Sequence, residues 1–388
     1  MIGGSLENPI TNRPSPLMGA RPALNFDEKP MVVIWEVTQA CDLSCYHCRA
    51  SAQPLRNSME LTTAQGRRLI DEVAAMRTPI FVLTGGDPLK RPDIYDLVEH
   101  ATQKGVRAAL TPSATPLLTQ AAISELKKRG LARLAISLDG PAPEINDSFR
   151  GVPGSYQRTM DAARWARDYH LPMQVNTTVT RRNHKDLDTF VPLLEKMGIV
   201  LWSVFFLVPT GRGKQDDLLS AEECEQVFER LYQLSRRVKF HIKTTEGQHY
   251  RRFLLQKHAA EWQEPRSEES ARPKAPAGVA YALDGTRPGV NDGKGFVFVS
   301  HTGEVYPSGF LPLRAGNVRR QSLSEIYRTS PLFIALRDPK QLKGKCGICE
   351  YNQICGGSRA RAYAVTGDAF APDPCCVYEP KAAAVAAL

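Results

Sequence analysis

Cys41-Asp42-Leu43-Ser44-Cys45-Tyr46-His47-Cys48 places three thiols within eight residues, just past the largely apolar run Met31 to Val37. Thiolates separated by three and then two residues on one short loop can each reach a different iron of a single cubane cluster, because the loop wraps closely around it. Three thiolates on a four-iron cluster leave one iron without a protein ligand, and an open iron is a place where a small molecule binds and reacts. The loop therefore reads as a chemical site. Zinc is the competing reading. His47 or Asp42 would complete a tetrahedron, although structural zinc usually draws on two Cys-x2-Cys knuckles.

Composition bounds the rest. A chain of 388 residues is long enough for two domains, or for one large domain with an appendage. Hydrophobic residues at 42% and charged residues at 23% suit a soluble globular protein with a real core. The longest apolar run, Ile199 to Val208, is about half of what a membrane helix needs. No charged segment followed by an apolar run and a cleavage site opens the chain, so a cytoplasmic protein with no membrane partner is expected. Nine cysteines in such a chain point to metal ligation and away from a disulfide framework. A net charge of +9 attracts anions, but the basic residues come in scattered pairs such as Arg67-Arg68 and Arg181-Arg182. No aromatic-interleaved basic stripe appears, so nucleic acid is not an expected partner.

Residues 1–28, with Gly3-Gly4, Pro9, Pro14, Pro16 and Pro22, predict a flexible N-terminal arm. From Met31 onward short β-rich runs alternate with helical periods. Strands are predicted at 31–37, 79–84, 106–111, 132–138, 172–179 and 199–208, and helices near 62–77, 92–104, 119–129, 155–169 and 186–197. Thr62-x-x-Gln65 is a capping box, and Gly105, Gly130 and Gly198 fall where helices should stop. Six strand-helix units in succession imply a parallel sheet. Six is too few to close the eight-stranded barrel, so the expected fold is α/β: a partial (β/α)6 TIM-type barrel over 29–240, with its active site at the C-terminal strand ends. A doubly wound open sheet is the alternative. A helix from Ser220 to about Val238 closes the regular part. Residues 241–295 then read as helix and linker, and 296–388 as a small C-terminal domain that starts with a hairpin around Gly303.

Polar motifs stand at the predicted strand ends. Thr84-Gly85-Gly86-Asp87-Pro88 ends strand two, where two glycines let backbone approach a ligand; alone it is also a good turn. Ser137 and Asp139 end strand four, and Asn176 and Thr178 lie on strand five, so they would point into the barrel mouth unless they serve as caps. Arg150 and Arg158 are candidate carboxylate binders. Pro209-Thr-Gly-Arg-Gly213 lacks the ending of a phosphate loop and reads as a rim turn. Cys224 reads as a spectator thiol on a helix. Near the C-terminus, Cys346, Cys349 and Cys355 are followed by Cys375 and Cys376, which supplies four ligands for zinc or a second iron-sulfur cluster.

Cys-x3-Cys-x2-Cys after a first strand, with an aromatic residue before its last cysteine, resembles the radical S-adenosylmethionine (SAM) enzymes. The resemblance implies that Cys41, Cys45 and Cys48 hold a 4Fe-4S cluster whose open iron chelates SAM, which is then split to a 5′-deoxyadenosyl radical. Gly-Gly-Asp-Pro resembles the family's Gly-Gly-Glu-Pro, which receives the SAM amino group, with a shorter acidic arm in Asp87. Tyr46, Gly85, Gly86, Pro88, Ser137, Asp139, Arg150, Arg158, Asn176 and Thr178 are by the same token cofactor-binding candidates. The C-terminal set resembles the SPASM extension, which implies an auxiliary 4Fe-4S cluster on Cys346, Cys349, Cys355 and Cys376, with Cys375 a neighbour. Ser308 and Arg359 stand where cysteines of a second auxiliary cluster would fall, so the truncated one-cluster, Twitch-like form fits. The heme-maturing branch is the nearest resemblance and implies a tetrapyrrole whose propionates are oxidatively trimmed, with flavodoxin or ferredoxin as electron donor. A ribosomal peptide is the alternative substrate, and a zinc-stabilised, non-catalytic binding protein the alternative class.

Overall fold

Strand and helix signals resolve into consecutive β/α units in a computed structural model that describes residues 25–263 and 289–381. Most of the expected N-terminal arm, and residues 264–288 of the 241–295 helix and linker, lie outside the described residues. β1 (Val32–Thr38) leads to α1 (Thr63–Ala75), β2 (Ile80–Gly85) to α2 (Ile94–Gln103), and β3 (Ala108–Leu110) to α3 (Gln120–Lys128). β4 (Arg133–Ser137) leads to α4 (Pro143–Arg150) and α5 (Ser155–Asp168), β5 (Met173–Val179) to α6 (Leu187–Met197), and β6 (Leu201–Phe206) to α7 (Ala221–Ser235). The strands pair in parallel and in chain order. The Thr62 capping box forms with Gln65, Ser220 makes a second with Glu223, and Gly198 ends α6 at φ +69°.

Two elements extend this plan. β7 (His241–Thr245) adds a seventh parallel strand beside β6 and is followed by α8 (Tyr250–Gln263), where the sequence pattern predicts the barrel to stop at 240. Its run His-Ile-Lys-Thr-Thr carries Lys243 and Thr245 on the inward face, so it shows none of the apolar continuity of a buried parallel strand. β8 (Phe296–Val299) joins the other flank in parallel with β1. β9 (Glu304–Tyr306) and β10 (Gly316–Asn317) then follow antiparallel. The expected hairpin around Gly303 therefore forms, but as the continuation of one ten-stranded sheet in the order β10-β9-β8-β1-β2-β3-β4-β5-β6-β7.

Strand parity divides the interior. Outward residues such as Trp35, Phe81, Leu134, Val175 and Trp202 are fully buried against the helices. Inward residues such as Ile34, Val82, Ala109, Gln174 and Asn176 line a cavity of about 530 Å³. A closed barrel packs this space with layers of branched side chains. Here branched residues such as Ile34 and Val82 share the inward positions with the small or polar Ala109, Ser137, Gln174 and Asn176, and the lumen stays open up to the C-terminal strand ends.

Helix α1 reaches the sheet closely because Gly66 faces it. A Cβ at Gly66 would lie 2.5 Å from Cη2 of the buried Trp35 and 3.1 Å from Leu97 Cδ2. Alanine gains ~1 kcal/mol of helix propensity over glycine. Overpacking against an immobile ring costs ~1–3 kcal/mol, so Gly66→Ala is expected to be net destabilising. A lower urea midpoint at unchanged slope would confirm this, and a higher midpoint would show that Trp35 can give way.

Candidate active site

The thiol loop leaves the C-terminal end of β1 and is pinned on several sides. Cys41 N donates to Gln53 O (2.8 Å), Ser44 N to Arg150 O (3.1 Å) and Tyr46 N to Phe149 O (3.2 Å). The loop after β2 locks onto it through Gly86 N to Thr38 O (2.9 Å) and Asp87 N to Ala40 O (2.6 Å). A Cβ at Gly85 or Gly86 would stand 2.4 Å from the carbonyl oxygens of Thr38 and Ala40 respectively, so both glycines are demanded by this close approach. The loop after β6 closes the third side, with Arg212 N donating to Cys48 O at 2.9 Å. This is the rim turn that the sequence suggests at 209–213. Cys41, Cys45 and Cys48 all border the lumen. Cys41 Sγ lies 3.4 Å from Ser113 Oγ, and Arg150 Nη1 lies 3.8 Å from Cys45 Sγ.

Of the residues singled out in the sequence, Gly85, Gly86, Ser137, Arg150, Asn176 and Thr178 border the same cavity. Asp87, Pro88, Asp139, Tyr46 and Arg158 do not. The Asp87 carboxylate turns away, accepting from Thr115 Oγ1 (2.6 Å) and Leu89 N (3.1 Å), and burial pushes its pKa up. Asp139 is fully buried: it accepts from Thr178 N (2.7 Å), pairs with Arg150 and faces His47 Nε2 at 3.4 Å. It therefore orients the residues that border the cavity. His47, pushed down to about 4 chiefly by burial, is the neutral partner in this group. Tyr46 bonds Thr180 Oγ1 (3.2 Å) beneath the Arg182 guanidinium, and Arg158 reaches Pro153 O (3.5 Å).

Other lining residues carry no sequence motif. Phe205, Phe298 and Phe310 form an aromatic wall, with 6.3 Å between the ring centres of Phe205 and Phe310. Arg49, Arg107, Arg133, Arg150, Arg212 and Lys243 border the cavity against one acidic residue, Glu246. Burial and then Asp292 push Glu246 up to about 8, so it is largely protonated at neutral pH. Arg212 Nε and Nη2 are buried without a hydrogen-bond partner. Only the β-parity of each strand, once the sheet is known, would have pointed to these residues.

A second thiol group lies near the C-terminus. Cys346, Cys349, Cys355 and Cys376 border one small cavity, together with Arg252 and Gly356. Cys375 turns the other way, its thiol 3.4 Å from Leu219 O. Burial pushes Cys355 up to about 12 and Cys376 to about 11, so these thiols ionise only if a positive group draws their protons off. Asn291 Nδ2 ties the cradle by donating to Cys355 O (3.1 Å) and Gly357 O (2.7 Å). Arg359 spends its guanidinium on Ala369 O and Ala371 O, and Ser308 Oγ accepts from Phe310 N. Both are therefore structural where a second auxiliary cluster would need thiolates. Among the described residues no three or more His, Cys, Asp or Glu side chains converge as a single metal ion requires.

An open-lumened partial barrel with a three-thiol loop at its mouth and a four-thiol cradle beyond it defines a class, and the chain belongs to the radical SAM superfamily. Residues 35–194 match that superfamily, and residues 291–350 match the SPASM iron-sulfur cluster-binding domain. The family's cofactors are accordingly a 4Fe-4S cluster with SAM, plus an auxiliary iron-sulfur cluster. The AdoMet-dependent heme synthase of Methanosarcina barkeri is 40% identical over 90% of this chain and 97% of its own length. The Fe-coproporphyrin III synthase of the same organism is 31% identical over 90% of this chain and 88% of its own. Streptococcus suis SuiB bound to S-adenosylmethionine shares the fold, with a TM-score of 0.70 at 17% identity over 90% of this chain and 78% of that one. No helix among the described residues is long and apolar enough to cross a membrane.

One buried carboxylate ties these parts together. Glu36, inward on β1 and 4% exposed, accepts from Arg49 Nη2 and faces His301 Nδ1, each at 2.9 Å. Burial by itself would raise its pKa; Arg49 and His301 outweigh that and hold it below the usual 4.5. A lowered folded-state pKa contributes stability above the unfolded value that is lost as pH falls through the folded one. Glu36→Gln is expected to cost ~2–3 kcal/mol at pH 7 by leaving the half-buried Arg49 without its charged partner. The gap from wild type should narrow as pH drops below 4.5, measured by urea unfolding at both pH values.

Proposed function

We propose that this radical SAM enzyme acts in heme formation, converting propionate side chains of an iron porphyrin to vinyl groups. One observation carries the reading: beside the thiol loop, a single cavity combines an aromatic wall with six cationic side chains and one acid. A flat apolar macrocycle fringed with carboxylates has that same division of surface. The 40% identity to a heme synthase over nearly its whole length supports the same substrate class.

In this reading Cys41, Cys45 and Cys48 hold the reducing cluster. Gly85, Gly86, Ser137, Asn176, Thr178 and Arg150 receive SAM, with Asp87 and Asp139 bracing the loops that present them. Tyr46 and Arg158 play no direct part. Cys346, Cys349, Cys355 and Cys376 hold the auxiliary cluster. When bound, the reducing cluster supplies the electron that splits SAM into methionine and the radical that takes a hydrogen atom from the propionate. Loss of carbon dioxide and of one electron would turn the substrate radical into the vinyl group, and the cluster that Cys346, Cys349, Cys355 and Cys376 would hold could take up that electron. The aromatic wall keeps bulk water from the radical, and reduced flavodoxin or ferredoxin in the cytoplasm would supply electrons.

Anaerobic enzyme with SAM, dithionite and iron coproporphyrin III should yield 5′-deoxyadenosine together with vinyl-bearing porphyrin, read by mass spectrometry. SAM cleavage with no change in any porphyrin, or modification of a precursor peptide instead, would remove the substrate assignment. Replacing Cys41, Cys45 and Cys48 with Ala should abolish SAM cleavage. Cys376→Ala should lose about half of the iron of a chain carrying two four-iron clusters, whereas Cys375→Ala should keep it all.

A further inference from the structure

Of the six cations that border the lumen, Arg212 stands apart on the loop that closes on Cys48, and the other five fall into two groups. Arg49 and Arg150 are neutralised by the buried carboxylates of Glu36 and Asp139. Arg107, Arg133 and Lys243 make no side-chain hydrogen bond or ion pair with any described residue. Arg107 immediately precedes β3, Arg133 opens β4 and Lys243 lies on β7, and all three border the same cavity. They sense one another as like charges. Burial and then Arg107 lower the Arg133 pKa, while burial and then Arg133 bring Lys243 down to about 8. Lys243 is an exposed residue that borders the lumen.

Three mutually repelling cations without a counterion are unfavourable unless an anion joins them. Their place in the barrel is equally informative. Arg133 lies four residues below Ser137 on β4, a drop of ~13 Å from the strand end beside the thiol loop. A carboxylate held there is kept clear of the radical chemistry.

We infer that Arg107, Arg133 and Lys243 form a carboxylate-binding subsite at the floor of the lumen, occupied by carboxylates of the substrate other than the reacting one. That occupant rests on the function proposed above; a small free polycarboxylate has the same chemistry. Gln174 and Leu201 border the same cavity.

The test uses the cluster-loaded enzyme and its Arg133→Gln, Lys243→Gln and Lys243→Arg variants. Iron coproporphyrin III binding is followed by absorbance and citrate binding by calorimetry. Loss of one charge-assisted hydrogen bond should weaken porphyrin binding at least about tenfold in each Gln variant. KM should rise while kcat stays within about twofold, and Lys243→Arg should keep wild-type affinity. Citrate that competes with porphyrin in wild type, and loses its own affinity in Lys243→Gln, would place both anions at this floor. Citrate binding that is lost in Lys243→Gln while porphyrin affinity holds would keep the subsite but give it to a free anion, and would stand even if no porphyrin proved to be a substrate. Unchanged affinity for both ligands in both Gln variants would overturn the proposal.

Discussion

The carboxylate of Glu36 is the constraint on which the site depends. Its strand supplies the thiol loop, its first partner Arg49 follows Cys48 directly, and its second partner His301 belongs to the C-terminal segment. A buried charge needs both partners, because an unpaired one would be forced to take up a proton or leave the interior. The same guanidinium lies 4.7 Å from the centre of the Phe298 ring, so one electrostatic knot also positions the aromatic wall. β8 reinforces it through a parallel ladder to β1. The two halves of the chain thereby share one sheet and one cavity.

The second organising fact is what the barrel leaves out. Seven parallel strands plus β8 curve without closing, and among their inward positions stand Ala109, Ser137, Asn176 and Lys243. The hydrophobic driving force is spent on the outer face, where Trp35, Phe81, Leu134 and Trp202 meet the helices. An interior excused from core duty is free to carry cations, orphaned donors and thiols. Stability and chemistry are thus written on alternate residues of the same strands.

Much of this was legible in the linear pattern. Apolar runs, helix caps and glycine stops placed six β/α units to within a few residues, because each is a local signal. The thiol sets were legible for the same reason, since ligand spacing on a short loop is itself local. β7 was not, because a strand whose inward face is polar loses its apolar signature. Asp87 and Asp139 were legible as important but not in their direction. Both turned from the cavity to hold neighbouring loops, since a buried carboxylate goes where donors such as Thr115 and Arg150 can satisfy it. Tyr46 and Arg158 stand outside the cavity, because side-chain direction on a loop or helix follows packing that spacing does not encode.

Local order along the chain settled the first six repeating units, the family-defining thiol loop and the presence of a second thiol group. Only the folded chain decided which of the adjacent Cys375 and Cys376 faces the cradle, and which charges border the lumen. It also decided that residues from both ends of the sequence meet at Glu36. Periodicity and loop spacing act over a few residues, whereas burial, charge pairing and strand parity depend on neighbours tens or hundreds of positions away.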